Sequence, residues 1–263
     1  MDLGLQGKVA IVTGGSDGIG KAAALSLSRE GAYVAIASRT KATLDETARE
    51  ISDETGNDVL PVPTDVRDES SVRALVAAAV GKWGRLDIIV NNAGTSIASR
   101  FEDMTNDRIM EDFSLKVFGA IYTVRAGLPH LKKSGAGSII NITTPGGKAP
   151  GPGSQPTSLS RSAGISLTKT WSKEFAADNI RVNTVCIGLI KSGQHRRRWE
   201  ARNREDSSYT LDDHWKSIGA GVPLGRVGDA IEAGDVIAFL SSPKASYVTG
   251  TSVNIDGGTA PVM

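Results

Sequence analysis

The chain has 263 residues, of which 40% are hydrophobic and 30 are glycine, enough apolar material for a sizeable α/β core with many tight turns. Thirty basic residues against 29 acidic leave a net charge of +1, so bulk charge points to no nucleic acid and no membrane surface as partner. A single cysteine, Cys186, excludes an internal disulfide framework and a multi-cysteine metal site, and no metal is expected. Met1–Gly7 has no apolar stretch of leader length, and no apolar run approaches the ~18 residues of a membrane span, so a cytoplasmic protein is expected.

Short runs rich in Val and Ile alternate with stretches of helical periodicity, the pattern of βαβ units around a parallel sheet. Val9–Val12 reads as the first strand and Gly18 to about Glu30 as the first helix. Tyr33–Ile36 and Val59–Val62 are the next strands, with helices at Ala42 to about Ile51 and near Ser70–Val80. Leu86–Val90 is the fourth strand, and a long helical region then runs from about Asn106 to Leu131, broken only at Gly119, Gly127 and Pro129. Ser138–Ile142 and its helix Ser158–Ala177 follow, then strand Ile180–Val185, a helix near Ala230–Leu240 and a last strand Val253–Ile255. The seven strands, with no Pro/Ser-rich linker between them, predict one doubly wound Rossmann-type α/β domain over residues 1–263.

One segment breaks the rhythm. From Ser192 to Val222 the chain is polar and carries Arg196, Arg197, Arg198, Trp199, Tyr209, His214 and Trp215. A connection of this length is expected to be a lid over a small-molecule substrate, against the alternative of a solvated helix pair. The basic and aromatic residues point weakly to an anionic or aromatic compound, against a plain solvated charge run.

Thr13-Gly14-Gly15-Ser16-Asp17-Gly18-Ile19-Gly20 follows the first strand and opens the first helix. Glycines permit a tight turn and close backbone approach, and the helix N-terminus offers free N–H groups to a pyrophosphate. At the end of the second strand, a carboxylate would hydrogen-bond the ribose of NAD, whereas an Arg accommodates the extra phosphate of NADP. This chain has Ser38-Arg39 there, and Ser16 adds a second hydroxyl. NADP(H) is therefore expected over NAD(H), although Asp17 places an acid in the loop.

The loop, Asp65-Val66, Asn91-Asn92-Ala93-Gly94, Leu128-Pro129-His130, Asn183, Ala245–Gly250 and Asp256-Gly257-Gly258 together resemble the short-chain dehydrogenase/reductase family over essentially the whole chain. The resemblance implies cofactor contacts at Gly14, Ser16, Asp17, Gly18, Ile19, Gly20, Asp65, Val66, Asn92, Ala93 and Gly94, and, after the sixth strand, at Gly188, Ile190 and Ser192. It also implies a catalytic Asn, Ser, Tyr and Lys in chain order, with Tyr-x-x-x-Lys on one helix face. Aligned on Leu167-Thr168-Lys169, Arg125-Ala126 and Leu128-Pro129, those four positions fall on Lys116, Thr144, Thr157 and Arg161. No tyrosine lies between residues 122 and 209, so no change of register restores the phenol.

Thr144 keeps a hydroxyl that can orient a carbonyl, while Thr157 is a far weaker acid than Tyr. Arg161 stays protonated and can hold ribose hydroxyls or an anion. Lys116, beside that fixed charge, is expected to act as general acid, as base or as an anchor for an anion, the alternative being a simple replacement in a hydrogen-bond network. His195, Tyr209 and His214 are expected at the surface, with a role over the pocket as the alternative, and His130 is expected to be structural.

Three functions are compatible with these residues. The first is an NADP(H)-dependent oxidoreductase with a non-standard proton source, acting on an activated carbonyl, imine or conjugated double bond. The others are a non-redox eliminase, isomerase or cyclase, and a catalytically silent NADP(H)-binding protein. The resemblance further implies a homodimer or homotetramer paired through the helices at 106–131 and 158–177.

Overall fold

The computed structural model describes residues 2–263. Seven strands form the main sheet: β1 (Val9–Thr13), β2 (Tyr33–Ser38), β3 (Val59–Pro63), β4 (Ile88–Asn91), β5 (Ser138–Thr143), β6 (Arg181–Ile187) and β7 (Ser252–Ile255). All pair in parallel, in the order β3-β2-β1-β4-β5-β6-β7. This is the doubly wound, seven-stranded α/β architecture expected from the alternation of strand and helix patterns.

Burial of both faces explains why the strands read as continuous apolar runs. Ala10 and Val12 of β1 point to one face, against Ala23, Leu27, Leu44 and Ile237, while Val9 and Ile11 point to the other, against Leu75, Ala79, Val124 and Leu131. The flanking helices are α1 (Gly18–Arg29), α2 (Lys41–Thr55), α3 (Glu69–Trp83), α4 (Asn106–Phe113), α5 (Gly119–Ser134), α6 (Thr157–Glu174), α7 (Gly193–Glu205), α8 (Leu211–Gly219) and α9 (Ala230–Ser241). None of them is long and apolar enough to cross a membrane.

The topology reverses between β1 and β4, and ligands of such sheets bind outside the carboxyl ends of the strands at that point. Thr13, Ser38, Asn91, Thr143 and Ile187 are the last residues of their strands and share this edge.

Three expectations are corrected. The region read as one helix from Asn106 to Leu131 is α4 and α5 joined by a π-helical turn, Ser114–Phe118. Gly127 does not interrupt α5, because its missing side chain makes room for the sheet: a Cβ there would lie 2.6 Å from Ile89 Cδ1. An antiparallel ribbon pairs Ala98–Ser99 with Gln155–Pro156, and strands of two residues carry no periodicity to read. His214, expected at the surface, is buried, with its ring between those of Tyr209 and Trp215 at centroid distances of 6.0 and 5.4 Å.

The segment 192–222 folds as the helix pair α7 and α8. Trp199 Nε1 and Asn203 Nδ2 donate to the Tyr209 carbonyl at 2.9 and 3.0 Å, and the Arg202 guanidinium lies 3.8 Å above the Tyr209 ring. A reciprocal cap of Thr210 and Asp213 starts α8. These contacts bind the pair together, while α7 buries none of its own residues.

Helices α1 and α9 approach closely because Gly234 has no side chain. A Cβ there would lie 2.6 Å from the Ala22 carbonyl oxygen and 2.7 Å from Ser26 Oγ. Gly234→Ala is expected to cost about 1–3 kcal/mol through overpacking. Urea unfolding checks this, and an unchanged or raised midpoint contradicts it.

Candidate active site

The phosphate loop is held from beneath by β4. Thr13 Oγ1 accepts the backbone N–H groups of Asn92 and Ala93 at 3.0 and 3.1 Å and donates to the Val90 carbonyl at 3.3 Å. Asn92 Nδ2 in turn donates to the carbonyls of Thr13 and Gly14 at 3.0 and 3.1 Å. The side-chain amide nitrogen of Asn92, a residue to which the resemblance assigns a cofactor contact, is spent on shaping the loop. Gly20 permits this packing, since a Cβ there would lie 2.1 Å from the Gly14 oxygen.

Asp17 caps α1, its carboxylate accepting the Gly18 N–H at 2.7 Å. The N–H groups of Ile19 and Gly20 find no acceptor among the described residues, as at any open helix start. Ser192 and Gly193, at the start of α7, pack directly on Gly18 and Asp17. The bare glycine surface, the open N–H groups and the facing segment fit a pyrophosphate.

Ser38 Oγ is buried and has no hydrogen-bond partner, and Arg39 beside it is exposed and without an ion pair among the described residues. Asp65 is engaged by Arg67, whose nearest nitrogen lies 2.6 Å away, and that hydrogen bond above all holds the carboxyl below its usual range. Val66 is buried against Gly119, where a Cβ would lie 3.0 Å from Val66 Cγ2. Gly188 packs on Asp256, and the Ile190 side chain lies in the core while its backbone bridges to Gly228.

The structure brings Lys116, Thr157 and Arg161 together, as the motif register expects. Lys116 lies in the π-helical turn, and single π turns recur at functional sites. Its ammonium donates to the Asp112 carboxylate and to Thr157 Oγ1, the latter at 3.1 Å. Thr157 Oγ1 also accepts the Ile97 N–H at 2.9 Å and donates to the Ile97 carbonyl at 2.8 Å, so its hydroxyl is fixed.

Arg161 Nη1 donates to the Ile142 carbonyl at 2.7 Å, and Nη2 lies beneath Gly94, 3.0 Å from where a Cβ would stand. Its Nε is buried without a partner. Thr144 follows β5, half-buried, and its hydroxyl makes no cap hydrogen bond to the turn after it.

Burial pulls the Lys116 ammonium down to about 8, with the Arg161 charge acting in the same direction and Asp112 opposing both. Burial also pulls the Arg161 guanidinium down, to about 10, still charged at neutral pH. Lys116 is thus the member of the pair that can exchange a proton near neutrality.

Motif reading did not find Asp112 or Ser160. Asp112 is fully buried, and Ser160 Oγ donates to its second oxygen at 2.5 Å. The four-residue spacing of Asp112 and Lys116 was the available signal. Two cavities of about 20 Å³ each, sharing Asn91, Lys116 and Arg161 in their walls, flank the cluster. A cavity of about 600 Å³ beside β7 and α9 is lined by Leu189, Val222, Leu224 and Val253 and does not touch this cluster. Among the described residues no cluster of His, Cys, Asp and Glu fits a metal ion.

Residues 14–260 match the family described as enoyl-(acyl carrier protein) reductase, and the chain belongs to the short-chain dehydrogenase/reductase family. It is 34% identical to the 3-oxoacyl-[acyl-carrier-protein] reductase FabG of Thermotoga maritima, covering 97% of this chain and 98% of that one. L-sorbose reductase from Gluconobacter frateurii, solved with NADPH and L-sorbose, superposes with a TM-score of 0.95 at 29% identity over 100% of both chains. An NADPH-bound short chain oxidoreductase from Pseudomonas aeruginosa, described as containing an atypical catalytic center, superposes with a TM-score of 0.89 at 35% identity, covering 97% of this chain and 98% of that one.

The Thr13 hydroxyl is the link between the phosphate loop and β4. Thr13→Val keeps the shape but leaves the Asn92 and Ala93 N–H groups without their acceptor, an expected loss of about 1–3 kcal/mol. Chemical denaturation measures it, and a variant as stable as the wild type contradicts the role assigned to Thr13.

Proposed function

We propose that this chain is an NADP(H)-dependent oxidoreductase with a non-standard active site, in which Lys116 replaces a phenol as the proton source. The reading rests above all on one observation: the Lys116 ammonium is buried at the carboxyl edge of the sheet, bonded to Asp112 and Thr157 and close to Arg161 and Gly94. Its substrates are compounds that need little acid assistance: activated carbonyls, imines or conjugated double bonds. The NADPH-bound neighbour from Pseudomonas aeruginosa, described as containing an atypical catalytic center, is consistent with a family member that binds this cofactor without the usual catalytic groups.

A dinucleotide fits the residues present. The loop glycines and the open N–H groups of Ile19 and Gly20 would hold the pyrophosphate. The unpartnered Ser38 hydroxyl, Ser16 and the free Arg39 guanidinium would hold a 2′-phosphate, which favours NADP(H) over NAD(H). When bound, the cofactor supplies the hydride.

The protein's own residues then do four things. Thr144 orients the reacting carbonyl or imine by hydrogen bond. Arg161 stays charged and stabilises negative charge that develops on the substrate. Lys116 gives up one proton to the substrate atom that gains the electron pair, and takes one from water admitted when the product leaves. Thr157, held at both Ile97 groups, fixes the Lys116 ammonium in place.

Helices α7 and α8 form the lid over the substrate, anchored where Ser192 and Gly193 meet the phosphate loop. The exposed apolar side chains Phe101, Met110, Phe118 and Leu159, all on the α4–α6 side, support a homodimer or homotetramer through that face. Light scattering tests the assembly, and a monomer at micromolar concentration overturns it.

The proton source is tested by pH. Reduction requires Lys116 charged, so kcat is expected to be full below about 8 and to fall as pH rises through that value. Lys116→Met is expected to lower kcat by about 10²–10⁴ and to abolish that limb. A variant with wild-type kcat and an unchanged limb overturns the reading. Arg39→Ala is expected to weaken NADPH binding about tenfold or more while leaving NADH unchanged. Fluorescence titration checks this, and equal losses for the two cofactors contradict the 2′-phosphate site.

A further inference from the structure

We infer that Asp112 is a positioning residue of this site: one carboxylate oxygen anchors the Lys116 ammonium, the other ties it to α6 through Ser160, and the pair keeps a proton on Lys116 beside the Arg161 charge. The inference rests on the reading of Lys116 as proton source, and it concerns how that proton is retained.

The geometry leaves Asp112 no other task. Its carboxylate is fully buried, and both oxygens are used within the cluster, one by Lys116 and one by Ser160 Oγ at 2.5 Å. Ser160 precedes Arg161 on α6, so the carboxylate links the π-helical turn to the helix that carries the second cation.

The charges around Lys116 are few. Asp112 comes from α4, next to its own turn, and Arg161 comes from α6. From β6 the nearest titratable group is Cys186, which faces Arg161, with Lys148 and Asp256 beyond it. The ends of β4 and β5 contribute only neutral Asn91, Asn141 and Thr143.

Asp112 is thus the one carboxylate that offsets two buried cations. Without it the site must shed a proton. Guanidinium does not give one up near neutrality, so Lys116 does. An isolated ammonium in this environment would be neutral at the pH where the enzyme is meant to donate.

The test is a titration of Lys116 in the full chain, followed by the ¹³Cε resonance of labelled lysine and assigned by its absence in Lys116→Arg. In Asp112→Asn the Lys116 titration is expected to move to lower pH by about one unit or more, and kcat at pH 8 to fall about fivefold or more with it. If Asp112→Asn does not fold, Asp112→Ser is read in the same way. The double variant Asp112→Asn/Arg161→Gln removes one charge of each sign, and its Lys116 titration is expected to return toward that of the wild type. A structural role alone predicts no such return.

A Lys116 that titrates at the wild-type pH in the Asp112 variants overturns the inference. If the Lys116 titration moves but the alkaline limb of kcat stays where it was, Asp112 acts as inferred, and the failure belongs to Lys116 as proton source.

Discussion

A lysine ammonium almost without access to solvent, held by one carboxylate and facing one guanidinium, is the constraint around which this molecule is arranged. Burying such a group is costly, and a buried ion pair is weak as a stability device compared with well-packed apolar side chains. Here the expensive cluster sits where the sheet reverses its winding, beside the phosphate loop, and perturbed ionisable groups concentrate at functional sites. The π-helical turn serves the same end, since it interrupts two regular helices where Lys116 enters the site.

Around this cluster the polar groups divide into those already satisfied and those left open. Thr13, Asn92 and Thr157 have their hydrogen bonds made within the protein, and they fix the phosphate loop and the Lys116 ammonium before any ligand arrives. Ser38 Oγ, Asn91 Oδ1 and Arg161 Nε are buried without partners. Buried polar groups are normally paired, and an unpaired one invites a ligand or an ordered water; Ser138 Oγ, His214 Nε2 and Ser241 Oγ are unpaired as well, so the property is not confined to this site. Rigid supports with open tips describe a preorganised site.

Much of this was legible in the sequence, and for physical reasons. Parallel strands buried on both faces leave continuous Val/Ile runs, and a loop that must let backbone approach phosphate leaves glycines. The juxtaposition of Lys116 and Arg161 followed from motif register alone. Asp112 was hidden because α4 is otherwise a charged, exposed helix, in which one more acid looks solvated. The π-helical turn was hidden because helical periodicity does not distinguish it from a continuous helix. His214 was misread because its cover comes from Tyr209 and Trp215, aromatic neighbours whose arrangement in the helix pair no local pattern announces.

The most direct measurement is a crystal structure of the chain with NADP⁺ and a non-reacting carbonyl analogue. The role given to Lys116 predicts the analogue's oxygen within hydrogen-bond distance of Lys116 Nζ and Thr144 Oγ1, with Asp112 still bonded to the ammonium. An oxygen bound instead to Tyr209 or to open solvent, with Lys116 out of reach behind Thr157, would contradict it.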